Sequence, residues 1–560
     1  MMPRAAGPRP SQERSEDGFD FIVVSNRLPV ETAPGGGAYW RSGPGGLVSA
    51  LQPVIAKSGG AWVGWTGDTT GGGGEDDPGG PRPVELVRDV PSGNEAASAE
   101  SLAPPAWPGA PRLATWWEDT GEVQVVSAGP GPAGAGDDAA IESEGVHAVR
   151  VPLSRDELDA YYEGFCNASL WPLYHDVTAT PAFSRRWWHS YVEVNQRFAT
   201  AVADHAAEGA TVWAHDYHLQ LLPAMLRRPR PDLIIGFFNH IPFPPYELFG
   251  QLPWRREIVE GLLGSDLIGF QTAEGAANFL RCCRRLTGCH TQGSLIHIRS
   301  RAGGPARMAR AAAFPISVDA AELSALAQRP ETKERARQIR RELGDPEVLL
   351  LGVDRLDYTK GLLHRLRAYG ELLREGRLSP PGAVLVQVAS PSRGHVEQYQ
   401  RLREELERVV GSINGDFSPV GHPAVHYLHQ SFPKQEMAAM YLAADVALVT
   451  PLRDGMNLVA KEYVACRWDD GGRLVLSEFA GAAKELSGAF LVNPHDIDAM
   501  KAQIMAAVNA ERAQAVRRMR RMRQRVFAHD VHQWAAEFLG ALDGVHDERS
   551  EALGRAAGAY

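Results

Sequence analysis

Cysteine is scarce in this sequence, with five residues among 560. No two of them have the C-x-x-C spacing of a zinc knuckle or a redox motif, and an odd number argues against a disulfide framework. Disulfide-rich secreted proteins are therefore excluded as a class. The cysteine usage favours a reducing compartment, and we expect a cytoplasmic location.

Long apolar runs and an excess of basic residues are also absent. No run of about 18 apolar residues occurs, and residues 1–20 lack the apolar core of a signal peptide, so we expect no membrane partner. Lys and Arg number 58 against 68 Asp and Glu, a net charge of −10. The basic run 517–525 carries apolar residues near helical spacing, which favours an amphipathic helix over a nucleic-acid patch. We expect no nucleic-acid partner.

Glycine and proline are concentrated in one region. Between residues 67 and 145, 25 of 79 residues are Gly or Pro, a composition typical of low-complexity sequence. A glycine-rich phosphate loop is the alternative, but no predicted strand leads into this region and no predicted helix follows it. We interpret 67–145 as a long surface insertion.

The rest of the chain is regular. Hydrophobic residues make up 44% and charged residues 22%, which is enough to build cores. Short apolar runs alternate with amphipathic stretches and break near 315–345, which predicts an α/β fold of two Rossmann-like, doubly wound parallel-sheet domains. The predicted segments are a disordered tail (1–18), an N-terminal domain (19–318) with the low-complexity insertion (67–145), a C-terminal domain (319–520), a C-terminal helix that can cross back to the first domain (521–545) and a flexible tail (546–560).

Charged residues follow the predicted strands, where open parallel sheets bind ligands. Arg355 and Lys360 flank one tight turn that ends in Gly361. This suits a diphosphate, because a guanidinium fork and an ammonium group converge on one strand end. A surface ion pair with Asp357 is the alternative. Arg393 follows a neighbouring strand and could hold the diphosphate or a second phosphate.

The segment Asp454–Leu458 is predicted to open a helix whose unbonded amides can bind an anion. Asp454 would then face a hydroxyl-rich group, and Glu462, two turns further along, could accept hydrogen bonds from a ribose. The alternative is structural, with Asp454 capping the helix and Glu462 paired with a Lys or Arg.

Histidines occur at two predicted strand ends, with His215, Asp216 and His218 after one strand and His240 after the next. A metal site is one hypothesis. The H-x-x-H spacing on a loop is a weak signal and no third ligand set is evident, so hydrogen bonding by Asp216 is favoured. No nucleophile elbow, Walker loop or H-E-x-x-H motif occurs.

Short motifs occur in one order between residue 20 and about residue 540. They are Ser25-Asn26-Arg27-Leu28-Pro29, Gly45-Gly46-Leu47, Trp62-Val63-Gly64-Trp65, Tyr161-Tyr162, Leu170-Trp171-Pro172, His215-Asp216-Tyr217-His218, His240-Ile241-Pro242-Phe243-Pro244, Gly269-Phe270-Gln271-Thr272, 355–361, Ser392-Arg393-Gly394, 453–462 and 477–481. In this order they resemble the α,α-trehalose-6-phosphate synthases of glycosyltransferase family 20. The resemblance implies a GT-B architecture, two Rossmann-like domains facing across a cleft. It also implies retaining transfer of glucose from a nucleotide diphosphate-glucose, UDP-glucose or GDP-glucose, to glucose 6-phosphate.

The resemblance further implies a role for each matching residue. The donor residues are Arg355 and Lys360 for the diphosphate, Gly46 for its backbone approach, Asp454, Gly455, Met456, Asn457 and Leu458 for the glucose and phosphates, and Glu462 for the ribose. The acceptor residues are Arg27, Tyr162, Trp171, Asp216 and Arg393. Those assigned to catalysis are Asp216, His240, Arg355, Lys360 and Asp454. No metal and no cofactor is implied, because the leaving phosphate is thought to deprotonate the incoming hydroxyl itself.

Two features depart from the family pattern. Pro315-Ile316-Ser317-Val318-Asp319 stands where the family often has Pro-Ile-Gly-Ile-Asp, and the insertion after residue 67 is unusual. The alternatives are a sister transferase that uses glycerol phosphate or a cyclitol phosphate, and a non-catalytic sugar-nucleotide-binding regulator. The intact acceptor motifs favour glucose 6-phosphate. We expect a homo-oligomer, and uridine, guanosine and adenosine donors all stay open.

Overall fold

The computed structural model describes residues 18–28, 30–32, 38–40, 51, 55, 58–67, 69–70, 141–143, 146–298, 307–392 and 396–557. The backbone alone is described at 30–32, 38–40, 69–70, 141–143, 146, 397 and 546–557. The predicted disordered tail up to residue 17, most of the predicted insertion, and the two predicted site residues Gly46 and Arg393 lie outside these ranges.

The first half of the chain contains fourteen described strands, ten of which form one large sheet and four of which form two separate pairs. Its strands are β1 (Phe19–Arg27), β2 (Val30–Thr32), β3 (Ala38–Trp40), β4 (Ala61–Trp65), β5 (Thr69–Thr70), β6 (Ile141–Ser143), β7 (Val146–Arg150), β8 (Leu153–Ser154), β9 (Ala206–His215), β10 (Ile234–Asn239), β11 (Leu267–Phe270), β12 (His290–Gln292), β13 (Leu295–Ile298) and β14 (Arg307–Ala313). Ten of them pair in the order β12-β13-β14-β11-β10-β9-β1-β4-β7-β6. The stretch from β14 to β7 is parallel, and the strands outside it are antiparallel additions.

The second half builds a smaller sheet that is parallel throughout. Its strands are β15 (Val348–Arg355), β16 (Ala383–Ser390), β17 (Val425–Leu428), β18 (Val446–Val449), β19 (Arg473–Ser477) and β20 (Phe490–Val492). They pair in the order β17-β16-β15-β18-β19-β20, so the order reverses between β15 and β18. The predicted α/β class is confirmed, and two such Rossmann-like domains constitute the GT-B architecture.

Helices connect the strands and cover both sheets. They are α1 (Arg155–Glu157), α2 (Trp171–Tyr174), α3 (Arg185–His205), α4 (Leu222–Arg227), α5 (Tyr246–Phe249), α6 (Arg255–Leu262), α7 (Ala273–Thr287), α8 (Ala320–Gln328), α9 (Pro330–Glu342), α10 (Leu362–Arg374), α11 (Glu397–Phe417), α12 (Lys434–Ala443), α13 (Leu458–Cys466), α14 (Ile497–Val508), α15 (Arg512–Ala528) and α16 (Val531–Ala557). A π-helix, Leu158–Leu170, joins α1 to α2, and 3₁₀ turns span Tyr217–Leu219, Tyr358–Lys360 and Gly481–Lys484. Among the described helices, none has the length and apolarity needed to cross a bilayer.

The two points where strand order reverses position the site. In an open parallel sheet, the crevice at such a reversal lies at the carboxyl ends of the strands. Arg27 and Asp216 lie at the end of β1 and just after β9 in the first sheet. Arg355 and Asp454 lie at the end of β15 and beyond β18 in the second. The charged residues at the strand ends of both domains therefore lie in crevices that border one cleft.

The C-terminal helix α16 packs against β10, β11 and β14 of the first sheet. Phe538 stacks on Trp213 with ring centroids 4.6 Å apart, and Trp534 meets Phe238 edge-on at 5.1 Å. The helical backbone continues to Ala557, well past the predicted start of a flexible tail at residue 546. The tail is rich in Ala, Glu and Arg, and extending an existing helix requires no new nucleation.

The linker between the domains, Phe314–Asp319, is held by hydrogen bonds from both sides. The bonds join Trp534 Nε1 to Phe314 O (3.1 Å), His529 Nε2 to Pro315 O (3.0 Å), Ile316 N to Gln271 Oε1 (3.0 Å), Lys461 Nζ to Ile316 O (2.7 Å) and Val531 N to Val318 O (3.1 Å). Lys461 is itself buried and bonds Glu485 at 2.5 Å. The linker is thus attached to the first sheet, to α13 and to the start of α16.

The packing of α16 predicts the effect of two glycine substitutions. A Cβ at Gly269 would lie 2.7 Å from the rings of Phe238 and Phe538, whereas a Cβ at Gly540, on the exposed face of α16, would meet nothing within 4 Å. We expect Gly269→Ala to lower the free energy of unfolding by about 1–3 kcal/mol through overpacking. Gly540→Ala should raise it by about 0.5–1 kcal/mol, because alanine favours the helix. Urea denaturation measures both, and equal stability of the two variants would contradict this packing.

Candidate active site

A lysine and a carboxylate meet where neighbouring strands of the second sheet end. Lys360, in the turn after β15, places Nζ 2.6 Å from Oδ2 of Asp454, which lies beyond β18. Asn457 Nδ2 donates to the same oxygen at 3.1 Å, and no described residue donates to Oδ1. Burial opposes ionisation of Asp454, but the charge and hydrogen bond of Lys360 outweigh it and lower the pKa of this carboxyl. Asp454 is therefore ionised, with one oxygen available at the cleft.

The turn that carries Lys360 is fixed by Asp357. This carboxylate is fully buried and accepts hydrogen bonds from the backbone N and Oγ1 of Thr359, at 3.0 and 2.9 Å. The alternative of a surface ion pair with Asp357 is therefore wrong, because Asp357 is not at the surface. Its role is to shape the turn between β15 and α10.

The helix predicted after Asp454 begins at Leu458. Its N-cap is Asn457, whose side chain accepts a hydrogen bond from Ala460 N at 3.2 Å, so the alternative that Asp454 caps the helix is wrong. Asn457 has a φ of 76°, a left-handed conformation that asparagine adopts more readily than most residues. Met456 is buried beneath the loop. Asp454 is thereby left for contacts other than capping.

Glu462 lies apart from the Lys360–Asp454 pair, on α13. The hydroxyl of Tyr441 donates to its Oε2 at 2.8 Å. Burial raises the pKa of Glu462, opposed by the hydrogen bond from Tyr441 and more weakly by the charge of Lys434. A tyrosine, rather than the Lys or Arg of the structural alternative, is thus its hydrogen-bond partner.

Two neutral histidines support Asp216 in the first domain. Asp216 has a φ of 73° and accepts the backbone N–H of His240 on Oδ1 at 3.2 Å. His240 Nε2 lies 3.1 Å from His215 Nδ1. Burial lowers the pKa of His240 to about 3, and burial together with the proximity of His240 lowers that of His215 well below its ordinary value. Both rings are therefore uncharged at neutral pH.

Arg27 and Tyr162 belong to an aromatic group at the end of β1. The Arg27 guanidinium lies 5.8 Å from the ring of Trp65, and the Tyr162 ring lies 6.3 Å from the same tryptophan. Tyr162 stacks on His218 at 5.7 Å. His218 lies 3.9 Å from the ring of Tyr217, which lies 5.7 Å from Trp171, so aromatic contacts connect the predicted acceptor residues.

The two strand-end groups meet across the cleft. The Arg355 guanidinium lies over the ring of Trp171 at 5.5 Å. A Cβ at Gly455 would overlap the carbonyl oxygen of His240, so the loop after β18 lies directly against the end of β10. A cavity of about 280 Å³ beside this contact is lined by both domains, including Asp454. The predicted residues gathered around the cleft are Trp171, Asp216, His240, Arg355, Lys360 and 454–458.

His175, which follows α2, also lies at the cleft and was not among the predicted site residues. Its ring is buried 4.1 Å from that of Trp171, and Nδ1 lies 2.7 Å from Trp171 O. Burial lowers its pKa to about 4; the hydrogen bond to Trp171 O and the charges of Asp357 and Asp454 oppose this shift, and the charge of Lys360 adds to it. It therefore lies close to the turn of the other domain that carries Lys360. Its position four residues after Trp171, close to a predicted acceptor residue, was the only available signal.

The metal hypothesis finds no ligand cluster in the described part of the chain. No group of three or more His, Cys, Asp or Glu side chains is arranged there to hold an ion. His215 faces His240, and His218 packs between Tyr162 and Tyr217.

Comparison with known proteins gives consistent results along the chain. The model of glycosyltransferase family 20 matches residues 130–544. The trehalose-6-phosphate synthase of Mycolicibacterium gilvum is 50% identical over 528 residues, 93% of both chains. That of Mycolicibacterium smegmatis is 50% identical over 540 residues, 96% of this chain and 94% of the relative.

Solved structures agree with the sequence relatives. The α,α-trehalose-phosphate synthase (UDP-forming) of Burkholderia xenovorans, in complex with glucose-6-phosphate, superposes with a TM-score of 0.76 at 31% identity, covering 94% of this chain and all of that one. An E. coli structure described as bound with UDP-2-fluoro glucose superposes at 0.74 and 32% identity, covering 93% and 98%.

The buried histidines predict how stability depends on pH. His175 and His240 stay neutral in the folded chain down to about pH 4 and 3, whereas an unfolded histidine protonates near its ordinary pKa of 6.5. The unfolded state therefore binds more protons in this window, so stability is fully present above pH 6.5 and falls below it. We expect His175→Asn to remove about 3 kcal/mol of the loss between pH 7 and 4. Urea titrations across this range test it, and an unchanged slope in the variant would refute the assignment.

Proposed function

The chain belongs to glycosyltransferase family 20, and from this we infer that it is a retaining glucosyltransferase of trehalose biosynthesis. It moves glucose from a nucleotide diphosphate-glucose to glucose 6-phosphate and forms α,α-trehalose 6-phosphate. One observation carries the proposal: Arg355 of the second domain lies over the ring of Trp171 in the first, and the loop whose Asp454 binds Lys360 lies directly against His240. The relatives in complex with glucose-6-phosphate and UDP-2-fluoro glucose support the two substrates.

The donor binds to the second domain. Arg355 and Lys360 hold its diphosphate, and no described carboxylate pairs with Arg355. The amides at the start of α13 add their partial positive charge. Asp454 accepts glucose hydroxyls through Oδ1, and Glu462 accepts the ribose hydroxyls through the oxygen that Tyr441 leaves unused. Gly46 completes this set as a prediction outside the described residues.

The acceptor binds to the first domain. Arg27 lies on an exposed strand end and attracts the phosphate of glucose 6-phosphate, with Arg393 as a second predicted contact outside the described residues. Tyr162 and Trp171 offer ring faces and polar atoms to the sugar. Asp216 lies between the acceptor group and His240 and orients the sugar hydroxyls at the reacting centre.

Retention follows from attack on the face that the diphosphate leaves. The bond from the donor anomeric carbon to the phosphate oxygen breaks, and a bond to the acceptor hydroxyl oxygen forms on the same side. The hydroxyl proton passes to the leaving phosphate oxygen. His240 is neutral and its Nε2 faces His215, which suits it to hydrogen bonding rather than proton donation. Catalysis then rests on orientation and on the cations that stabilise the departing diphosphate.

The compartment and the assembly complete the proposal. All five cysteines are free thiols, four of them buried, which supports a reducing, cytoplasmic location. A homo-oligomer stays a prediction.

A product assay tests the reaction. Purified protein with glucose 6-phosphate and, in turn, the uridine, guanosine and adenosine diphosphate-glucoses should yield a non-reducing disaccharide phosphate with at least one donor. Mass spectrometry and ¹H NMR of the anomeric protons identify an α,α linkage. Product formed only with glycerol phosphate or a cyclitol phosphate would indicate a sister transferase, and binding without any product would indicate a regulator.

Arg355 gives a test of the donor site. Its side chain is exposed and has no described ion-pair partner, so Arg355→Ala should leave the melting temperature unchanged. We expect its kcat/KM for the donor to fall about 10²–10³-fold, because a cation that stabilises the leaving diphosphate is lost. The control is Arg367→Ala, which removes an exposed arginine paired with Glu371 on α10. If Arg355→Ala keeps its activity, or if the control loses as much activity as Arg355→Ala does, the assignment of Arg355 to the donor site is contradicted.

A further inference from the structure

Two consecutive residues after α2 have a strained backbone. Asp176 and Val177 both have a φ of 57°, in the left-handed region. This conformation is uncommon for aspartate and a genuine outlier for a β-branched residue such as valine. The turn is held by a hydrogen bond from Val177 N to Pro172 O at 2.9 Å and by one from Thr178 N to His175 O at 3.2 Å. Such strain persists where a specific arrangement is required of the chain.

The strained turn presents Asp176 to the other domain. Its Oδ2 lies 3.1 Å from Nε of Arg453, which directly precedes Asp454. The two side chains are 42% and 29% exposed, so solvent screens the pair and its contribution to stability is small. The backbone strain of two such residues costs more free energy than an exposed ion pair contributes to stability. Stability therefore does not account for the turn.

The ion pair acts on the loop that carries Asp454. Within the second domain, Leu452 N donates to Thr359 O at 2.7 Å and Asp454 N donates to Phe479 O at 3.2 Å. Toward the first domain, the loop has the close approach of Gly455 to His240 and the ion pair of Arg453 with Asp176. Only the second of these contacts joins opposite charges, and it acts through charge and proximity, because Nε of Arg453 has no hydrogen-bond partner among the described residues. It fixes where the loop lies relative to Asp216 and His240.

We propose that Asp176 is a positioning residue for the transfer reaction, which holds the Asp454 loop against the first domain through Arg453. It touches neither substrate. Its effect is on the distance between the glucose held by Asp454 and the acceptor held by the first domain, so it acts on the transfer step rather than on donor affinity. The inference rests on the proposed function for its kinetic consequence and on the structure alone for its effect on the loop.

Substitutions that keep the backbone conformation separate this role from folding. Asparagine is isosteric with aspartate and tolerates a positive φ, and glycine favours it. Asp176→Asn and Asp176→Gly should therefore melt at or above the temperature of the parent chain. Their kcat should fall between about 10-fold and 100-fold, as expected for reacting groups displaced by a fraction of an ångström to an ångström. The Kd for the nucleoside diphosphate should stay within about twofold. Asp176→Glu keeps the charge and should recover part of the loss.

A double-mutant cycle shows whether Asp176 acts through Arg453. In the Arg453→Gln background, Asp176→Asn should cause little further change in kcat. The control is Glu334→Gln, which removes an exposed ion pair on α9, with Arg341 at 2.8 Å; both side chains are more than half exposed, and no change is expected. An unchanged kcat in Asp176→Asn, or a full additional loss in the Arg453→Gln background, would overturn the proposal.

Hydrogen exchange tests the loop without relying on activity. Amides in the segment 452–458 should exchange faster in Asp176→Asn than in the parent chain, while Glu334→Gln leaves them unchanged. Faster exchange together with an inactive parent chain would count against the proposed function and support the positioning role. Unchanged exchange would count against the positioning role, whatever the activity.

Discussion

The site depends on how the linker Phe314–Asp319 is held. Two parallel sheets each offer a crevice at their carboxyl edges, but transfer between two bound substrates requires that these edges face each other at a fixed distance. Hydrogen bonds with Trp534, His529 and Lys461, and one from Ile316 N to Gln271 Oε1, secure the linker to both domains and to the returning chain. Ser317, in the position where the family often has glycine, is fully buried, and its hydroxyl has no hydrogen-bond partner among the described residues. A buried hydroxyl without a hydrogen bond costs on the order of 1–3 kcal/mol. The packing and hydrogen bonds of the rest of the linker must therefore offset the cost of Ser317.

Charge is distributed in the cleft so that some cations remain for ligands. Lys360 gives one of its three N–H donors to Asp454 and keeps the others, whereas Arg453 forms an ion pair with Asp176. Arg355 and Arg27 instead lie over the rings of Trp171 and Trp65, and no described carboxylate pairs with either. A ring face orients a guanidinium without neutralising it. A chain with a net charge of −10 can thereby offer local positive charge to two anionic substrates.

Sequence patterns located the parts of the site that lie at strand ends. Arg355 and Asp454 were predictable because parallel strands place their following residues at one edge of a sheet, whatever the details of the turns. His175 and Asp176 were not, because they follow a short helix and reach the cleft only through tertiary packing of the first domain. The N-cap role of Asn457 was missed for a local reason. Its left-handed backbone, which leaves capping to Asn457 rather than Asp454, cannot be read from the order of residue types.

Asp454 and Glu462 show how one domain gives two carboxylates different properties. Lys360 outweighs burial at Asp454 and lowers its pKa, whereas burial prevails at Glu462 and raises it. One oxygen of Asp454 accepts hydrogen bonds from Lys360 and Asn457, and one oxygen of Glu462 accepts a hydrogen bond from Tyr441. No described residue donates to the second oxygen of either. Because one oxygen of each carboxylate is held by a neighbouring donor, the carboxylate cannot rotate its second oxygen away from a ligand. A hydroxyl group can donate a hydrogen bond to that second oxygen without adding charge. The two carboxylates thus provide orientation for neutral sugar groups, while the cations between them and the first domain hold the charged part of the donor.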